Sequence, residues 1–524
     1  MEEYWNILIF LFISVATLIV FSLRSRRWKR LPMPPGPSGY PIIGNMMTMN
    51  KLTHRHLAHL AQRYGGLFHL RLGLLNVFVV STPDIAQQVL QVHDKSFANR
   101  PVGKAMRYLS YDRANMAFAN YGPFWRQMRK LCVMRVFSRK RTESWVSVRD
   151  EVESTVRSVA AEAGQSVNIG ELVFSLTMNI TFRAAFGTTF TSNQDRFLSI
   201  LQEFSKLFGS FNLGDFFPFL GWLDLQGMDD RLRNARRDLD RFIDVIIDRH
   251  INNPKIDSNS NSKSDAYELD MDMVDDMIDF LGESTDAGDG DNNNNLPGPL
   301  RLTKNNIKAI IMDVMFGGTE TVGSTIEWAL AELIKNPEDM RRVQEELVNV
   351  VGLNRKVNES DINKLLFFKC CVKETLRLHP PIPLMLHEST KDCEVSGYFI
   401  PAKSRVMINA WAIGRDKPAW GHDADTFRPS RFMVDEKASG LDFRGGFFQF
   451  IPFGSGRRSC PGMQLGLYGL EMSLSQLLHC FTWNLPHPMK PSELDMGDVF
   501  GLTAPRAVRL VAVPTPRLNC SIIS

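Results

Sequence analysis

The stretch FGSGRRSCPG, residues Phe453 to Gly462, sets one cysteine among three glycines, two arginines and a proline, just ahead of an apolar run. Leu467, Leu470, Leu474, Leu477, Leu478 and Phe481 recur at helical spacing, which predicts a helix from Pro461 to about Phe481. Proline is favoured at a first helical position, where its missing N–H is not needed. Cys460 is therefore expected at a helix N-terminus, where free N–H groups and the helix dipole favour a thiolate and lower the thiol's pKa. Gly454, Gly456 and Gly462 permit close backbone approach, and Arg458 adds a cation able to pair with a carboxylate. On these residues three readings stay open: a thiolate presented to a flat anionic ligand, a buried structural cysteine, and a helix-end nucleophile. A dinucleotide loop is excluded, because Ser459 stands where its third glycine would be.

The rest of the chain sets the frame. Its 524 residues, 44% hydrophobic with formal net charge +4, suffice for a large core and are too balanced to argue for a nucleic-acid partner. Seven cysteines without a C-x-x-C pair argue against a disulfide framework or a zinc ribbon. His54, His56 and His59 are expected on an exposed helix face rather than around a metal. Ile7 to Leu23 is uncharged and close to the roughly 20 residues a spanning helix needs. The basic run RSRRWKR follows it, whereas a cleavable signal peptide carries its charge in front. Residues 1–30 are thus expected to be a membrane anchor with a basic flank, its N-terminus luminal and the remaining chain cytosolic. Residues 31–50 are a proline-rich hinge. Residues 51–524 are expected to form a single domain, with a polar, acidic, low-complexity surface insertion at 252–300 in which MVDDMIDFL makes a short helix.

Further elements surround the cysteine loop. GLFHLRLGLLNVFVVS reads as a strand pair. Thr303 caps a helix running to about Asn336, and another spans roughly Ile362 to His379. Inside the first, Gly317 and Gly318 weaken the helix by roughly 1.5–2 kcal/mol relative to alanine, pointing to a kink or a close ligand. Thr321 can bond back to a carbonyl, and Glu320 beside it is titratable, so the pair could supply protons. Helix packing by small residues explains the same pattern. Glu374 and Arg377 share one helix face, as do Trp125 and Arg129. Arg126, Lys130 and Arg135 could extend a basic face able to steer an acidic partner.

FGSGRRSCPG matches F-x-x-G-x-R-x-C-x-G at every fixed position, and on it the chain resembles the cytochrome P-450 superfamily. The resemblance implies the cytochrome P-450 fold, mainly α with a small β region, here preceded by an N-terminal transmembrane helix. It implies haem b with Cys460 as axial thiolate, pushing electron density onto the iron. Arg458, Trp125, Arg129 and Phe453 then become cofactor contacts. MFGGTETVGST resembles the superfamily's distal-helix motif, making Glu320 and Thr321 catalytic, with Val322 a departure at the last position. KETLRLHPP and FRPSRF resemble the elements of a core ion-pair network, Glu374, Arg377 and Arg431. The implied activity is monooxygenation with dioxygen as co-substrate. Electrons would come from NADPH through a separate membrane-bound NADPH–cytochrome reductase, since no dinucleotide or flavin motif is seen. The expected location is the endoplasmic reticulum membrane.

Longer stretches, including YGPFWRQMRKLCVMRVFSRKR and ELDMGDVFGLTAPRA, look like the plant ferulate (coniferaldehyde) 5-hydroxylases. That implies ring hydroxylation of coniferaldehyde, coniferyl alcohol or ferulate toward syringyl lignin. Family topology suggests a mostly apolar pocket of Leu109, Phe118, Phe208, Phe211, Met312, Phe316, Pro381, Ile382, Leu384, Leu502 and Thr503. The competing readings are a flavonoid or other phenolic hydroxylase of the same fold, and a non-catalytic membrane scaffold for pathway enzymes.

Overall fold

The computed structural model describes residues 31–47, 53–137, 146–186, 212–224, 226–252, 272–281 and 301–519, with Ile200, Glu203, Phe204, Lys206 and Leu207 between them. The N-terminal anchor, most of the acidic insertion, Phe208 and Phe211 lie outside the described residues. Among those described, no helix is long and apolar enough to cross a membrane.

Twelve helices position the site. They are α1 (His54–Tyr64), α2 (Lys104–Leu109), α3 (Pro123–Leu131), α4 (Val146–Ala161), α5 (Ile169–Phe186), α6 (Met228–Asn252), α7 (Met273–Ile278), α8 (Lys304–Gly318), α9 (Glu320–Lys335), α10 (Pro337–Val351), α11 (Leu366–Leu378) and α12 (Met463–Cys480). One apolar core runs through α2 to α12, with members from Ala105 to Ala512, while Leu57 of α1 packs in a separate cluster with Phe68 and Val79. The strands are β1 (Leu67–Leu72), β2 (Leu75–Val80), β3 (Val167–Asn168), β4 (Leu384–Glu388), β5 (Cys393–Val395), β6 (Tyr398–Ile400), β7 (Arg405–Asn409), β8 (Phe481–Asn484) and β9 (Val511–Pro516). They form a four-stranded sheet in the order β1-β2-β7-β4, a three-stranded sheet β3-β9-β8 and the pair β5-β6. The expected strand pair is β1–β2, antiparallel, with Leu67 opposite Val80 and Leu72 opposite Leu75.

The long helix expected from Thr303 starts as read. Thr303 and Asn306 form a reciprocal capping box. It does not run unbroken to Asn336, however, because α8 and α9 are separated at Thr319. Gly317 and Gly318 weaken the ladder there. Thr321 Oγ1 donates back to the Gly317 carbonyl at 2.5 Å, and Thr177 Oγ1 of α5 donates to the Thr319 carbonyl at 2.9 Å. The two glycines have separate roles. A Cβ on Gly318 would sit 3.0 Å from Thr181 Oγ1, so that glycine lets α8 close on α5, whereas a Cβ on Gly317 would meet nothing within 4 Å.

The proline-rich stretch bonds to two sheets: the Pro35 carbonyl accepts from His69 N in β1, and the Pro32 carbonyl from Phe399 N in β6. Two local expectations change on folding. His54 is buried rather than exposed, held by Asp498 at 3.2 Å and packed against Trp411 and Phe500. MVDDMIDFL does form a helix, α7, but its Met273, Val274 and Met277 enter the main core, so this part of the insertion is not surface.

Candidate active site

Cys460 sits in a loop closed by its own N–H donating to the Phe453 carbonyl at 2.8 Å. Gly454 and Gly456 take φ of 70° and 67°, left-handed values that glycine tolerates. Gly456 also lies against the Leu90 carbonyl and Asp94, leaving no room for a side chain. The helix starts later than expected, at Met463 with Gly462 as its cap, so Pro461 is not its first residue. Cys460 thus lies ahead of the helix end, and burial prevails: it raises the thiol's pKa against the opposing pull of the Gly462 N–H and the Arg129 guanidinium. The expected lowering is not what the protein alone produces. Yet Cys460 is solvent-accessible although deep in the protein, in contrast to the buried Cys132, Cys370, Cys371, Cys393 and Cys480. A deep but accessible sulfur faces an internal opening.

The distal helix is open along a matching stripe. Gly317 is exposed and Phe316, Gly318, Glu320, Thr321 and Val322 are half-buried, as is the backbone-bonded Asp313, whereas Met312, Val314, Met315 and Thr319 are buried. Asp313, Phe316, Gly317, Glu320 and Thr321 among them follow i, i+3, i+4, i+7, i+8, one face of a helix. Val322 falls beside this stripe, with a methyl 3.7 Å from where a Gly466 Cβ of α12 would be. Its departure from the motif thus contributes to packing between α9 and the cysteine helix.

Three guanidiniums, Arg100, Arg129 and Arg458, converge on one another, and Arg129 acts on the Cys460 sulfur. Arg458 donates to the carbonyls of Ala98 at 2.6 Å, Met116 at 3.1 Å and Ala119. Arg129 donates to Ser459 Oγ at 3.0 Å, and Arg100 to the Leu386 carbonyl. Burial together with mutual repulsion lowers Arg100 to about 10 and Arg458 to about 9. His387 is driven down to about 3 by burial and by Arg100 and Arg458. Cations crowded in this way fit a ligand bearing carboxylates, and a thiolate sulfur facing an opening fits an iron centre; together they suit a haem and its propionates. Arg100 escaped the sequence reading, since FANRP has no spacing that marks it. Trp125 and Arg129 do meet, but the Trp125 N–H is occupied by the Met116 carbonyl at 3.1 Å, and the ring lies under Arg458 at 4.5 Å and Arg129 at 5.5 Å. Phe453 is half-buried, edge-on to Phe443 at 5.7 Å.

Asp313 was also missed. Its carboxylate accepts from Asn115 Nδ2 at 2.6 Å and from Met116 N and Ala117 N at 3.0 Å, tying the loop before α3 to the distal helix. Burial pushes its pKa to about 7, against those three donors and Arg458. The folded chain therefore holds this proton more tightly than the unfolded chain. The group's stabilising share is complete below the ordinary value of 3.8 and is lost as pH rises toward 7. Asp313→Asn removes that slope. Thermal melting from pH 4 to 8 should show the variant gaining on the wild type as pH rises; parallel curves would refute the assignment.

The ion network is complete and fully buried. Glu374 takes two bonds from Arg377, both 2.7 Å, one from Arg431 at 2.9 Å and one from Arg428 N at 2.8 Å. Arg377 also donates to the carbonyls of Gly414 and Ala424, at 2.6 and 2.5 Å.

The expected pocket residues scatter more widely. Leu109 and Met312 are buried in the main core, with Phe316 packed on it 6.3 Å from the Phe204 ring. Phe118 is half-buried, its N–H on Asn115 Oδ1. Pro381 and the Thr503 loop are joined by Ala504 N donating to the Pro381 carbonyl at 3.0 Å. Leu384 belongs to a separate core cluster, and Ile382 and Leu502 are exposed. Trp328, absent from the sequence reading, holds the same loop through its indole N–H on the Ala504 carbonyl at 3.1 Å, while its ring stacks on His379 at 3.8 Å.

A model of the cytochrome P450 family matches residues 34–510. Cytochrome P450 84A1 of Arabidopsis thaliana is 60% identical over 510 residues, covering 97% of this chain and 96% of its own. Flavonoid 3'-monooxygenase of the same plant is 38% identical over 522 residues, 97% of this chain and 98% of its own. Among solved structures, a zebra fish cytochrome P450 with progesterone superposes at a TM-score of 0.72 and 23% identity, over 88% of this chain and 99% of that one, a likeness of fold. With the cysteine loop and the open distal stripe in place, these matches mean that the chain belongs to the cytochrome P450 family.

Proposed function

We propose that the protein is a haem-thiolate monooxygenase that hydroxylates the ring of coniferaldehyde, coniferyl alcohol or ferulate beside the phenol. The observation carrying the chemistry is the deep, accessible Cys460, with the Arg129 guanidinium acting on it and Arg100 and Arg458 converging on Arg129. Cys460 would ligate the iron, and Arg458, Arg129 and Arg100 would offset the propionates. Haem, when bound, supplies dioxygen activation and the insertion of one oxygen atom into substrate. Thr321 holds its hydroxyl proton on the Gly317 carbonyl, and Glu320 stands one residue away on the open stripe, so both can hand on protons there. Support for the phenylpropanoid substrate is the resemblance in the long stretches quoted above, alongside 60% identity to cytochrome P450 84A1. Anchoring in the endoplasmic reticulum membrane and supply of electrons by a membrane-bound reductase belong to the same reading. Arg126 and Lys130, exposed on α3, offer the basic face for that donor.

A flavonoid substrate is the second reading, supported by the 38% identity to flavonoid 3'-monooxygenase. Microsomes carrying this chain and a plant reductase, given NADPH, dioxygen and competing coniferaldehyde, ferulate and a flavanone, decide between them. A 5-hydroxylated phenylpropanoid is the expected product; a hydroxylated flavanone alone would replace the reading.

Trp328→Phe keeps the ring on His379 and removes the N–H from the Ala504 carbonyl, a loss of about 1–3 kcal/mol if that acceptor stays unpaired. The expected result is a raised KM with the thiolate-ligated carbon-monoxide Soret band intact. An unchanged KM would separate this loop from substrate binding.

A further inference from the structure

Between α2 and α3 the chain turns through Tyr111, Asp112 and Arg113 with φ of 54°, 57° and 66°. All three are left-handed and none is glycine. L-residues visit that region singly, because their Cβ crowds the following carbonyl oxygen. No other non-glycine residues among those described take it even as a consecutive pair. Strain of this kind persists only where the surroundings over-determine it.

The surroundings here are a charged cluster shared by α6 and α8. The Tyr111 hydroxyl donates to Asp240 Oδ1 of α6 at 2.6 Å. Lys308 of α8, its side chain 7% exposed, donates to the same oxygen and to Asp244, both at 2.8 Å. A lysine is almost never that deep unless paired. The Arg236 guanidinium lies 4.1 Å over the Tyr111 ring and holds the Tyr108 carbonyl at 3.1 Å. Burial and the bond to Asp240 raise the phenol's pKa, so Tyr111 stays protonated and remains the donor. Packing alone does not confine the turn. Tyr108, Asp112, Arg113 and Arg236 line a cleft of about 560 Å³, and the Asp112 side chain is 80% exposed.

Beyond the turn the chain is tied to α8 twice more. Asn306 Nδ2 donates to the Ala114 carbonyl at 2.8 Å, and Asp313 takes the Asn115 side chain and the Met116 and Ala117 N–H groups. Asp313 belongs to the open stripe of the distal helix, so the residues it holds border that stripe. Arg458 of the cysteine loop holds the Met116 and Ala119 carbonyls from the other direction. We propose that Tyr111 is a positioning residue for the monooxygenase reaction: its bond to Asp240 holds a strained turn, and the turn sets where residues 114–119 stand against the distal helix. It acts on a bound ligand through that loop and not by touching it. The inference rests on membership of the cytochrome P450 family and not on which phenolic is the substrate.

The test uses the haem-loaded full chain and phenylimidazole, an aromatic iron ligand whose binding is read from the Soret shift whatever the native substrate. Tyr111→Phe keeps the ring beneath Arg236 and removes the hydroxyl alone. Its dissociation constant for phenylimidazole should rise about fivefold, part of the roughly tenfold or more that a lost bond to a charged group is worth. The thiolate-ligated carbon-monoxide Soret band should stay. Adding Asp112→Gly to Tyr111→Phe should bring the affinity back to within about twofold of the wild type, since glycine takes left-handed φ without steric cost. The turn then keeps its shape without the tie. A bond that serves stability only would lower the melting temperature of Tyr111→Phe and leave the affinity unchanged. That result, or a loss that the glycine does not recover, overturns the proposal. If Tyr111→Phe carries no haem, the double variant decides: regained haem loading with wild-type affinity supports the strained turn, and failure to regain them overturns it.

Discussion

Cys460→Ser is expected to abolish the thiolate-ligated Soret band of the reduced protein with carbon monoxide, and turnover with it. Serine fits the space and keeps the N–H bond to the Phe453 carbonyl, so the loop should survive. What goes is the soft anionic ligand. Burial raises the thiol's pKa in the protein alone, so the thiolate depends on a cation placed against it. A serine hydroxyl is far harder to deprotonate and is a poor ligand for the same cation. Changes merely around a metal ligand lose about 10–100-fold; removal of the ligand should exceed that. The measurement is the reduced carbon-monoxide difference spectrum with turnover in the same microsomes. A thiolate-type band in Cys460→Ser would sink the assignment, and a scaffold without turnover would keep its function in this variant.

Glu374→Gln should have the largest effect on stability. The carboxylate accepts four hydrogen bonds from three residues: two from Arg377, one from Arg431 and one from the Arg428 backbone. Neutralising it leaves Arg377 buried without its counter-charge and Arg431 with only its 3.4 Å contacts to Asp423. Breaking a buried pair from one side costs about 3–5 kcal/mol, against a typical total of about 5–15 kcal/mol. Arg377 also holds the Gly414 and Ala424 carbonyls, so the segment leading to the cysteine loop loosens with it. Little haem-loaded protein should accumulate, and what does should melt earlier. Normal haem content and melting would show that the network does not govern the fold.

What was legible in the sequence shares a physical range. The cysteine loop, the Thr303 cap, the β1–β2 pair and the Glu374–Arg377 spacing are set by bonds and faces a few residues apart. Such contacts repeat wherever the same residues recur at the same spacing. The distal glycines were also legible as a weak point, though the two distinct functions of Gly317 and Gly318 were not.

Tertiary structure decided what depends on burial and distant charge. Local dipole reasoning placed the Cys460 thiol low, and burial reversed it. Arg100 became part of the site because folding brings it to Arg129 and Arg458, and Asp313 because it catches backbone N–H groups nearly 200 positions earlier in the chain. His54 left its presumed surface for a partner 444 positions away. By itself the sequence determined which residues can make a thiolate loop, a kinked helix and a buried ion pair. Folding alone determined which of them face an opening, because desolvation and Coulomb energies depend on the whole surrounding volume rather than on neighbours along the chain.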